Sequence, residues 1–180
     1  MMMDSVRKTR GCAVICGAAP SIFDDLAEAK RLRPGAKVLG VNHVASMVDG
    51  VRHIWTQHQE KAPFIRATTK TKIKIHAREA GEDIDYVWPE LHWVLGSSGL
   101  GAAMWAKYGL GYSEVILAGI PLDPGQTQYS DSYQHKHQFA PSVQIAAWKR
   151  HLEIYQEDGK TEGIFSMSGS TRAILGAPKG

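Results

Sequence analysis

The sequence predicts an α/β fold, a mostly parallel sheet flanked by helices. Two observations carry that prediction. Apolar runs too short for helices recur along the chain, at residues 12–16, 37–41, 52–56 and 114–119. Between them lie segments with apolar residues at helical spacing, such as Ile22, Phe23, Leu26, Ala29 and Leu32. Strands alternating with helices build a parallel sheet, here of the Rossmann-like kind.

The stretch 11–32 sets the pattern. Its strand stops at Gly17-Ala18-Ala19-Pro20-Ser21, where Gly17 lets the backbone turn and Pro20 ends the ladder. Ser21 is placed to cap a helix with Asp24 and Asp25 in its first turn, and Arg33-Pro34-Gly35 closes it. The second run ends in Asn42-His43 and leads to a short helix over 44–48. The third contains His53-Ile54-Trp55 and ends in the polar segment 57–61. Residues 63–67 suggest a short helix. Residues 68–77 alternate charged and apolar side chains, as a half-exposed strand does, and 86–95 suggest one strand broken at Pro89. Gly96-Ser97-Ser98-Gly99 opens a small-residue helix that Gly109 and Gly111 close, ahead of a buried strand at 114–119. Residues 120–141 read as a long polar loop, a length that in compact domains usually carries function. A helix over 142–159, a strand over 162–166 and a short helix over 172–175 complete the order. Residues 1–10 read as a flexible basic lead, and 11–180 as a single domain.

Composition narrows the function. The 180 residues are 43% hydrophobic and 22% charged, enough to bury an ordinary core without disulfide or metal. A net charge of +3 is too mild to point to nucleic acid, and Lys70, Lys72 and Lys74 fit a solvated face. No stretch approaches the roughly 20 apolar residues of a membrane span, and no signal peptide is visible. Cys12 and Cys16 would face one side of a strand, too far apart to bond, as reduced core thiols. The expected location is the cytoplasm. A homo-oligomer is compatible with this composition.

Strands ending in small or polar segments can line one crevice, where open α/β sheets hold ligands. Gly17, Ala18 and Ala19 would let a ligand reach backbone amides at a helix start, or form an ordinary tight turn. Ser97, Ser98 and Gly99 offer the same choice at a second helix start. Asn42 either reads a base or sugar through its amide or caps the next helix. In the long loop, His135 and His137 suit general acid–base work near neutral pH, or are simply exposed. Tyr129 and Tyr133 suit stacking or hydrogen bonding to a ligand, or pin the loop. Neither G-x-G-x-x-G nor a Walker lysine motif is present.

Four segments taken together resemble the bacterial CMP-sialic acid sialyltransferases and the related DUF115 group, which includes archaeal hydroxymethylpterin diphosphokinases. They are Gly17-Ala18-Ala19-Pro20-Ser21, Val41-Asn42, Ser97-Ser98-Gly99, and Leu110-Gly111-Tyr112-Ser113-Glu114-Val115 running to Gly119-Ile120-Pro121. The resemblance implies a Rossmann-like domain that binds a cytidine or similar nucleotide. It implies that Gly17, Pro20 and Ser21 lie under the nucleotide, that Asn42 contacts it, and that Ser97, Ser98 and Gly99 lie beside it. It further implies that Tyr129 or Tyr133 touches phosphate and that His135 or His137 is the general base. Ala18 stands where the family carries Asn, and Pro121 where it carries Asp.

The resulting expectation is a transferase using a nucleotide-activated donor such as a CMP-sugar, with no metal required. A diphosphokinase would instead need Mg²⁺, with Asp123 and Asp131 as its carboxylates. The alternative from another class is a non-catalytic nucleotide-binding or assembly protein, which the changes at Ala18 and Pro121 favour.

Overall fold

A computed structural model describes residues 10–123 and 142–180. Within them, seven strands form one sheet: β1 (Arg10–Cys16), β2 (Lys37–Val41), β3 (His53–Trp55), β4 (Lys74–Ala77), β5 (Tyr86–Val87), β6 (Tyr112–Ala118) and β7 (Ile164–Ser166). The helices are α1 (Ile22–Leu32), α2 (Ala62–Thr68), α3 (Ser98–Met104), α4 (Ser142–Glu157) and α5 (Gly169–Leu175). The strand order is β5-β4-β3-β2-β1-β6-β7 and every pairing is parallel. The chain steps outward from β1 to β5, then returns to set β6 against the other edge of β1. This is a Rossmann-like α/β fold.

The middle of β1 is buried on both faces, which is why its apolar run is continuous rather than alternating. Ala13 and Ile15 join Leu117 and Trp55 under α3, with Tyr155 of α4 beside them. Val14 and Cys16 join Ile54 and Ile116 under Ile22, Leu26 and Ala29 of α1 and Ile65 of α2. Each such buried Leu, Ile or Val stabilises the fold by about 1.5–3 kcal/mol. Cys12 packs on the same side as Cys16. Burial, reinforced by Glu114 for Cys12 and by Asp25 for Cys16, pushes both thiols up to about 12. They are therefore neutral at physiological pH.

Several elements differ from the sequence expectation. Residues 86–95 are not one strand: β5 ends at Val87 and a 3₁₀ turn, Pro89–Leu91, follows. Pro89 has no N–H for a ladder, and a 3₁₀ turn begins with it instead. Only Lys74–Ala77 of the segment 68–77 is a strand, and Ile75, His76 and Ala77 are all buried. The helix expected over 44–48 is a 3₁₀ turn, Asn42–Ser46. Helix α3 runs into a π turn, Trp105–Gly109, that carries the chain to β6.

A polar cluster is buried near the sheet's edge strands. His53 Nδ1 lies 2.9 Å from His76 Nε2, and Trp88 Nε1–H donates to His76 Nδ1 at 3.1 Å. Because Nδ1 accepts, the proton of neutral His76 sits on Nε2 and points at His53. Tyr86 stacks on the His76 ring and Trp105 lies tilted against it, each at 4.7 Å between centroids. Burial, and then the neighbouring His53, push His76 down to about 4.

Candidate functional site

The sheet reverses its order of addition between β1 and β6, and a cavity of about 270 Å³ opens beyond the strand ends there. Small-molecule sites run from about 300 Å³ upward, so the space is of a compact ligand's size. The turns after β1, β2, β3 and β6 wall it, together with the start of α3 and one face of α4.

The β1 turn contributes Gly17, Ala18 and Ala19. Their amides are less available than expected. Gly17 N–H donates to Ala118 O at 2.8 Å, and Ala19 N–H to Gly119 O at 3.1 Å. A Cβ on Gly17 would strike the Ile120 side chain and Gly119 O. Glycine is needed there so that two strand ends can approach, not only to admit a ligand. Pro20 and Ser21 are outside the cavity lining. Pro20 is exposed. Ser21 does not cap α1 through its side chain. Its hydroxyl donates instead to Asp25 Oδ2 at 3.0 Å. That buried oxygen also accepts Ser168 Oγ–H at 2.6 Å and Gly119 N–H at 2.9 Å, joining α1, the end of β6 and the start of α5.

Asn42 begins the turn after β2 at φ +52°, a left-handed conformation that Asn tolerates better than most residues. It is not the cap of that turn, a position held by Val41. Its Oδ1 accepts Thr56 Oγ1–H at 2.9 Å, and Thr56 Oγ1 accepts His58 N–H at 3.0 Å. The ends of β2 and β3 are thereby tied together, and the N–H₂ group of Asn42 is what the side chain retains to offer. Gln57, His58 and Lys61 follow β3 along the same wall. Burial, and then the charge of Lys61, lower His58.

Ser97 caps α3 in extended backbone: its Oγ accepts Leu100 N–H at 3.3 Å. Ser98 and Gly99 are the first residues of the helix, where amides have no intrahelical acceptor. A Cβ on Gly99 would stand 2.8 Å from Ile120 Cγ2. The Tyr155 hydroxyl of α4 sits between the N–H of Leu95 and the carbonyls of Trp93 and Leu95, holding this wall from behind. Ile145 and Trp148 of α4 close the far side.

Gly17, Asn42, Ser97, Ser98 and Gly99 thus share one cavity, whereas Pro20 and Ser21 do not. Tyr129, Asp131, Tyr133, His135 and His137 lie outside the described residues. Trp148, Gln57 and Lys61 join the wall without having been singled out as site residues. Asp123 also lines the cavity, but its Oδ1 accepts both the N–H and the Oγ–H of Ser170, at 2.9 and 2.6 Å. That bonding ties the loop after β6 to the start of α5. Among the described residues no three His, Cys, Asp or Glu side chains gather as a metal set.

Fold and cavity together define a Rossmann-like α/β protein with a ligand-sized space at its topological switch point. Comparison with protein-family models, with curated proteins and with solved structures returns no match. No helix among the described residues is long and apolar enough to cross a membrane.

Proposed function

We propose that the chain binds a nucleotide in this cavity and transfers the group that the nucleotide carries, with a CMP-activated sugar as the best-supported donor. One observation carries the reading. Gly17, Asn42 and Ser98, from three separate turns, meet in a single space beyond the strand ends, the position where open α/β sheets take ligands. The Asn42 amide and the Ser97–Ser98 turn offer neutral donors. Lys61 offers a positive charge for phosphate, and Trp148 a flat apolar surface. In this reading His135 or His137 takes the proton of an acceptor hydroxyl, and Tyr129 or Tyr133 stabilises the departing phosphate.

A second reading, a nucleotide-binding protein without chemistry, is favoured by two details. The amides of Gly17 and Ala19 are already bonded, to the last residue of β6 and to Gly119 after it, and Pro121 offers no carboxylate.

Titration calorimetry with CMP, CTP and ATP tests both. Micromolar CMP binding is expected, weakened about tenfold by Asn42→Ala or Ser98→Ala, the loss of roughly one hydrogen bond each. A wild-type protein that binds none of the three nucleotides overturns both readings. If CMP binds, His135→Ala and His137→Ala separate the two. Unchanged donor hydrolysis in both variants, or none in the wild type, leaves the binding protein alone.

A further inference from the structure

Gln57 carries an observation that the proposed function does not use. Its Nε2 is buried with no hydrogen-bond partner among the described residues, and so is the indole Nε1–H of Trp55, two residues earlier. Both nitrogens crowd one spot. A Cβ on Gly101 of α3 would stand 2.5 Å from Trp55 Nε1 and 2.6 Å from Gln57 Nε2. Two donors buried side by side without an acceptor are strongly unfavourable. A half-turn of the terminal amide exchanges its nitrogen and oxygen while every other atom stays in place. The oxygen then lies against Gly101, on the side of the Trp55 N–H and placed to accept it. Gln57 is only half-buried and lines the cavity, so the other end of its amide faces that space.

We infer that Gln57 is a ligand-reading residue: Trp55 holds its amide oxygen, and its N–H₂ group is presented to the cavity as a hydrogen-bond donor. Asn42 is arranged in the same way, with its oxygen on the Thr56 hydroxyl and its N–H₂ group left over. Two neighbouring strand ends therefore each supply an oriented amide donor. The ligand they select carries acceptors on that side, either the carbonyl or ring nitrogen of a nucleobase or the oxygens of a phosphate. This inference rests on the nucleotide reading of the cavity.

Two substitutions test it. Gln57→Glu keeps an oxygen for Trp55 but turns the cavity-facing donor into a second oxygen. Gln57→Leu removes both. Calorimetry with CMP should show binding at least about tenfold weaker for Gln57→Glu than for the wild type. Parallel titrations with cytidine and with ribose 5-phosphate identify the acceptor. A loss confined to CMP and cytidine assigns it to the base, and a loss confined to CMP and ribose 5-phosphate assigns it to the phosphate. CMP bound equally by the wild type and Gln57→Glu overturns the inference and leaves the nucleotide reading intact. A second measurement needs no ligand. In ¹H–¹⁵N spectra the assigned Trp55 indole N–H should shift in Gln57→Leu and stay near its wild-type position in Gln57→Glu. An indole resonance unmoved by Gln57→Leu overturns the inference even if no nucleotide binds, an outcome that by itself removes only the proposed function.

Discussion

Asp25→Ala should lower the unfolding free energy by about 3 kcal/mol, a scale set by groups left buried without their polar partner. One carboxylate oxygen accepts the Ser21 and Ser168 hydroxyls and the Gly119 amide. Alanine removes the acceptor that all three donors share, and Asp25 is itself only 8% exposed, so water cannot easily replace it. For a chain of this size the loss corresponds to a fall in Tm of roughly 6–12 °C. Asp25→Asn retains one acceptor and should lose about half as much. Urea unfolding measures both, and an unchanged m-value would show that stability alone has moved. The cluster holds Gly119, at φ +65°, on the cavity floor, so ligand binding should weaken as well. An Asp25→Ala protein as stable as the wild type would mean that the three donors find other partners.

Between pH 6.5 and 4 the protein should lose about 3 kcal/mol of stability through His76 alone. The histidine is 3% exposed and is held down to about 4, against an ordinary 6.5. In that window the unfolded chain binds a proton that the folded chain refuses. Stability is therefore fully present above pH 6.5 and is lost as the pH falls. Protonation would set a new N–H against the Trp88 donor and bury a charge among Tyr86, Trp88 and Trp105. Asp85 acts in a separate, more acidic range. Burial would raise it, but Ile75 N–H, Lys74 and Arg66 together hold it well below the usual carboxylate range. Urea unfolding at several pH values checks this, with His76→Gln as the non-titrating control. Equal slopes for the wild type and His76→Gln across the window would rule out His76 as the source.

The strands of the sheet's interior were legible because burial on both faces leaves an uninterrupted apolar run, as in β1 and β6. At the outer edges β7 was legible too, within the strand expected over 162–166, but β4 and β5 were less so. Trp88, Leu91 and Trp93 look like strand residues by composition, yet Pro89 forces a turn and Trp88 serves as a donor to His76. His76 sits in an alternating sequence that reads as half-exposed, and it is buried by side chains distant in sequence, among them Tyr86, Trp88 and Trp105. Among residues that line the cavity, Asn42 and Ser98 were legible because strand ends and helix starts are marked locally by polar and small residues. The role of Ser21 was not, since its partner Ser168 is 147 residues away. Trp148 occupies an apolar helical position, and nothing in its spacing tells a core-facing side chain from one that lines a cavity. That depends on where α4 docks.

β1 pairs with β2 on one edge and with β6 on the other, so that Ile15 opposes both Leu39 and Leu117. The first partner is translated almost at once, but the second follows roughly 100 residues later. At ordinary ribosomal elongation rates the nascent chain would carry β1 with one bare edge for about 5–20 s. Such an edge is a template for the wrong neighbour. Production of this protein should therefore depend more on chaperone capacity during synthesis than its final stability suggests.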